Sequence, residues 1–106
     1  MKKYLLIIQP WTWQCGDGCC SDSGTDVELR EKNLRGNIVF STEYEYGDCT
    51  NRVENDSIDG DLIDLLLEKI EIECEPNQTM TDKEFIEFMK KYDIELVINR
   101  NFEEER

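Results

Sequence analysis

Five apolar residues in unbroken succession, Tyr4-Leu5-Leu6-Ile7-Ile8, leave few architectures open to this chain. A half-exposed strand alternates apolar with polar, and a surface helix repeats its apolar residues every three or four positions. An unbroken run this short fits a strand covered on both faces. Pro10 is read as its end, because proline offers no amide to a ladder. A chain of 106 residues has room for one core. The run is therefore expected at the centre of a single domain spanning residues 1–106, with 101–106 as a charged tail.

The remaining pattern supplies the other elements. Trp11 to Gly24, rich in Gly, Cys, Asp and Ser, reads as a loop. Asp26 to Arg30 alternates, with Val27 and Leu29 on one side. After a turn at Asn33 to Gly36, Ile38, Phe40, Thr42, Tyr44 and Tyr46 share one face of a second strand, and the two strands make a hairpin. Gly47 to Asp61 is polar and reads as a long loop. Ser57 or Asp59 caps a helix carrying Leu62, Ile63, Leu65, Leu66 and Leu67. Lys69 to Glu75 alternates Ile70, Ile72 and Cys74 with Glu71, Glu73 and Glu75, and is predicted as a strand. Thr81 and Glu84 form a capping box ahead of a helix with Phe85, Ile86, Phe88, Met89 and Tyr92 on its apolar side. Ile94 to Ile98 is the last strand. The order β-β-β-α-β-α-β predicts an α+β fold, with a single mixed or antiparallel sheet of about five strands and two helices on one of its faces.

Charge narrows the partners. Acidic residues outnumber basic ones 25 to 12, histidine is absent, and the net charge is −13. Such a surface repels phosphate backbones, which argues against direct nucleic-acid binding, and it attracts basic proteins. The apolar stretch after Lys2-Lys3 is too short for a signal peptide and no segment approaches a membrane span, so a cytoplasmic location with reduced cysteines is expected.

Three thiols fall within six residues in Cys15-Gly16-Asp17-Gly18-Cys19-Cys20. Without histidine, a four-cysteine site is the way to an all-sulfur zinc centre, and Cys15, Cys19, Cys20 and Cys49 are its candidate ligands. Cys74 is read as a core thiol. Asp17 and Asp22 should raise the pKa of nearby thiols, which argues against a nucleophilic cysteine. Gly16 and Gly18 would also let the loop turn its amides inward as an anion nest. No P-loop, dinucleotide fingerprint or hydrolase elbow occurs, and the reading is a non-enzyme.

An N-terminal strand, then aromatic residues, then Cys15-Gly16-Asp17-Gly18-Cys19-Cys20-Ser21-Asp22-Ser23-Gly24 resembles the opening of small uncharacterised proteins of tailed bacteriophages. The likeness covers Lys2 to Gly24. It implies expression in a bacterial cytoplasm, where such accessory proteins act by binding a host protein or sequestering a small signal.

A second candidate surface runs from Asn37 to Asp64, where eight acids face one base, Arg52. Glu43, Glu45, Asp48, Asp56, Asp59 and Asp61, with Trp11 and Trp13 as aromatic anchors, are the candidate partner-binding residues. Two functions follow as expectations. One is inhibition of a host defence or nucleic-acid-processing protein through an acidic surface. The other is a zinc-binding or small-molecule-sequestering role for the Cys/Gly loop.

Overall fold

The computed structural model describes residues 2–42, 52–53 and 56–100, and only the backbone of Trp13. In chain order these residues form β1 (Lys2–Gln14), β2 (Ser21–Glu31), β3 (Ile38–Ser41), β4 (Ser57–Ile58), α1 (Gly60–Lys69), β5 (Met80–Thr81), α2 (Asp82–Lys90) and β6 (Ile94–Asn99). Among the described residues, four strands make a mixed sheet in the order β3-β2-β1-β6, and β4 pairs with β5 in a separate two-stranded ladder. β1 runs antiparallel to β2 and parallel to β6. The chain adopts the expected α+β class, and of the mixed or antiparallel sheet expected it forms the mixed one, with four strands and a separate two-stranded ladder in place of a single sheet of about five.

The apolar run lies mid-sheet, between β2 and β6. Tyr4, Leu6 and Ile8 join Val27, Leu29, Phe40, Ile94 and Leu96 on the face covered by Leu62, Ile63, Leu66 and Leu67 of α1 and by Phe85 and Met89 of α2. Ile7, on the opposite face, is also buried, but Ile38 and Val97 on that side are 48% and 54% exposed. No layer covers this face among the described residues. It is flanked by the ion pairs Lys3–Glu95 at 3.5 Å and Arg30–Glu28 at 3.0 Å. An unbroken apolar run thus marks a central strand here, with α1 and α2 both on one side of it.

Trp11 to Gly24 is a two-stranded ribbon rather than a loop. The β1–β2 register continues unbroken from Tyr4↔Glu31 to Gln14↔Ser21, passing through Pro10↔Thr25. Proline is tolerated for a geometric reason. The amide of Cys15 bonds the Cys20 carbonyl at 3.0 Å, and that of Lys2 bonds Asp93 at 3.2 Å. Odd-numbered residues of β1 therefore bond β2, while even-numbered ones turn outward. β6 occupies the outward side only as far as Ile7↔Asn99. Pro10 sits beyond that point, on an edge open among the described residues, where its missing N–H disrupts no ladder.

Lys69 to Glu75 is not a strand. α1 runs to Lys69 and ends in a Schellman motif. Ile72 N–H bonds the Leu67 carbonyl at 2.9 Å, and Glu71 N–H bonds Glu68 at 3.1 Å, with Glu71 at φ 64°. The chain then continues without a ladder, although burial still alternates. Ile72 and Cys74 are half-buried, and Glu71, Glu73 and Glu75 are exposed. It returns past the first turn of α1 so closely that a β-carbon on Gly60 would lie 2.7 Å from the Gln78 nitrogen. Asp59 is the N-cap of α1, accepting from the Asp61 amide at 3.1 Å. The capping box of α2 is present in both directions, at 3.1 Å into Thr81 Oγ1 and 3.0 Å into Glu84 Oε1. Residues 43–51 and the tail 101–106, with the strand face predicted through Tyr46, lie outside the described residues.

Candidate metal centre

The ribbon of β1 and β2 places the cysteines by its own register. After the last ladder pair, Gln14↔Ser21, the Cys15 amide bonds the Cys20 carbonyl, so these two residues face each other across the tip. The chain turns between them, with Gly18 N–H bonding the Cys15 carbonyl at 3.0 Å. Gly18 takes φ 69°, a left-handed conformation that glycine adopts without penalty. Its amide is committed to the turn and is not turned inward toward an anion.

The three sulfurs converge. Cys15 Sγ and Cys19 Sγ are 3.3 Å apart, and the Sγ atoms of Cys15, Cys19 and Cys20 all lie within 4.8 Å of one another. Zinc–sulfur bonds of about 2.3 Å in a tetrahedral site separate the sulfurs by about 3.8 Å. The sulfurs therefore lie within about 1 Å of the spacing that a thiolate tripod requires. Cys19 and Cys20 are exposed and Cys15 is half-buried.

The electrostatics run opposite to the sequence expectation. Cys15 is held down to about 6, first by the Cys20 thiol and then by the Cys19 thiol, with the Cys20 backbone N–H adding a third donor. That amide lies 3.4 Å from Cys15 Sγ. Cys20 is pushed up, chiefly because its thiol donates to Cys15. Asp17, expected from its charge to raise the thiol, instead adds a backbone hydrogen bond that lowers it, in the same direction as the bonds from Cys20 and Cys19. One sulfur is thus set up as a thiolate acceptor and a second is kept protonated as its donor.

The other candidate residues are placed differently. Cys49, Glu43, Glu45, Asp48 and the Trp13 side chain lie outside the described residues. Cys74 is half-buried and absent from the core cluster. It bonds the Tyr92 phenol, which raises the pKa of that tyrosine, and it lines a separate cavity. Asp59 and Asp61 both approach Arg52, at 3.2 and 3.6 Å, and Asp59 also caps α1. Asp56 is exposed, and its backbone carbonyl accepts the Asp82 amide at 2.7 Å. Trp11 is half-buried on β1, opposite the buried Gly24.

Two features were missed in the sequence. Asp64, Glu68, Glu71, Glu73 and Glu75 surround an open cavity of about 820 Å³ beside α1. Its signal was present in the i, i+4 spacing of Asp64 and Glu68 and in the alternating glutamates that follow. Arg100 holds both carboxylate oxygens of Asp82 and also bonds the carbonyls of Val53 at 2.7 Å and Ser57 at 3.1 Å. No local sequence signal marks that clamp. No protein-family model, curated protein or solved structure matches this chain.

Proposed function

We propose that this protein acts by binding rather than by catalysis, and that its centre is a soft-metal site at the ribbon tip. Zinc is the ion first suggested, with Cys15, Cys19 and Cys20 as ligands and Cys49 as the candidate fourth. The observation that carries this reading is the convergence of three sulfurs within 4.8 Å at an accessible turn. Thiolates select zinc and other soft ions over magnesium or calcium. Zinc titration of the reduced protein, followed by metal analysis after gel filtration, tests it. Stoichiometric zinc should be retained by the wild type and by Cys74→Ser, and lost from Cys15→Ser, Cys19→Ser and Cys20→Ser. A reduced wild-type protein that leaves the column without zinc removes the proposal.

A second reading keeps the acidic surface but moves it. Five carboxylates ring the cavity beside α1, whereas Asp59 and Asp61 are engaged by Arg52. In this reading the protein occupies a basic surface of a bacterial host protein in the cytoplasm, in the manner that the phage resemblance implies. Binding should weaken as salt rises and should fall in a Glu68→Gln/Glu73→Gln variant. A partner held equally by that variant at high salt would defeat the electrostatic account.

A further inference from the structure

We infer that Cys15 and Cys19 form an oxidation site, closing to an intrachain disulfide that takes away two of the three sulfurs at the ribbon tip. The inference begins from distance. Their sulfurs are 3.3 Å apart, against about 2.05 Å in a disulfide, so closure needs a movement of little more than one ångström. The turn between them supplies that movement. Gly16 has open space where a side chain would stand, and Gly18 already occupies the left-handed region. The alternatives are less favoured. Cys20 directs its backbone N–H at Cys15 Sγ and is fixed opposite Cys15 by the terminal ladder bond. A bond between the adjacent Cys19 and Cys20 would have to distort the peptide that joins them.

Exposure sets the order of events. Cys19 is exposed and Cys15 is half-buried, so Cys19 is the more accessible of the pair to the reagent. On losing its proton, the Cys19 sulfur attacks a low-molecular-mass disulfide, RSSR, forming a mixed disulfide and releasing one RS⁻. The Cys15 sulfur then attacks the Cys19 sulfur and displaces the second RS⁻. The two cysteine protons end on the released thiolates. The balance is two thiols and RSSR to one protein disulfide and two RSH, with the protein pair oxidised by two electrons and the reagent reduced by two. The link to metal release rests on the proposed zinc centre, while the disulfide itself rests on the geometry of the pair.

The test uses the full chain, stripped with chelator and equilibrated in mixtures of reduced and oxidised glutathione. Peptide mapping after alkylation should find a Cys15–Cys19 bridge with Cys20 alkylated. The same bridge should form in Cys20→Ser, and Cys15→Ser should stop at a glutathione adduct on Cys19. Persistent wild-type adducts without ring closure, or a bridge that uses Cys20, would overturn the inference. Zinc binding is measured in parallel on reduced and bridged protein, and loss of zinc on bridging supports the linked reading. A bridge in protein that never held zinc when reduced would uphold the oxidation site and fail the metal centre alone.

Discussion

Glu71 stands at the position after a helix that glycine occupies most often, in the left-handed conformation at φ 64°. A side chain there costs about 1 kcal/mol, and a carboxylate at a helix C-terminus opposes the helix dipole. Glu71→Gly is predicted to stabilise the fold by about 1 kcal/mol, read as a higher urea midpoint at unchanged slope. A lower midpoint would mean that Glu71 makes a compensating contact. Tyr4 gives a pH dependence. Burial, then Glu31 and Glu71, push its phenol above its ordinary 10.0. The unfolded chain therefore ionises first, so the stability this residue supplies is complete below about pH 10 and is lost as pH rises through the raised folded value. Tyr4→Phe should flatten that alkaline loss in denaturation curves taken from pH 8 upward. For Cys15, held to about 6, alkylation by iodoacetamide should show its pH midpoint near that value. A midpoint in the ordinary thiol range, about 8.5, would mean that the hydrogen bonds at the tip do not persist in solution.

At the scale of elements, β1 shows what could and could not be read from the sequence. Its apolar run identified a central strand, but Pro10 was read as a stop because the sequence does not reveal which edge of a strand is occupied. Position 10 faces the side beyond the end of β6, an edge open among the described residues. Proline at an edge strand is one device that blunts pairing with another chain. Pro10→Val is predicted to keep the fold and increase self-association in sedimentation at raised concentration; unchanged sedimentation would show that the edge is protected otherwise. The capping box of α2 was legible because its parts sit within four residues. Lys69 to Glu75 was misread because alternation records one-sided burial, and a Schellman turn followed by a tight turn, with the Cys74 amide bonding the Ile72 carbonyl at 3.0 Å, buries alternate residues as a strand does. The cysteine cluster was visible as spacing. The direction of the Cys15 shift depended on contacts of 3.3 to 3.4 Å that only the folded turn creates. Arg100 was illegible for a similar reason, since its partners lie 18 to 47 positions away. Its side chain and that of Asp82 are only 18% and 21% exposed. Arg100→Met should therefore cost about 2–4 kcal/mol in chemical denaturation, through lost charge-assisted bonds and a stranded carboxylate.

Across the whole molecule, a net charge of −13 works against compactness. Added salt should raise the melting temperature and level off once the Debye length falls to about 3 Å near 1 M. A steady fall instead would mean that attractive pairs such as Arg100–Asp82 dominate the field. The topology has a further, kinetic consequence. β1, β2 and β3 can associate as a local meander, but Lys2 meets Ile94 only after a loop of about ninety residues has closed. Until then the outward side of Tyr4 to Ile8 presents an apolar, unpaired template to any neighbouring chain, and Pro10 lies outside that stretch. Competition between this late closure and intermolecular pairing is predicted to set the yield of refolding. That yield should fall with protein concentration even under conditions where the native state is stable.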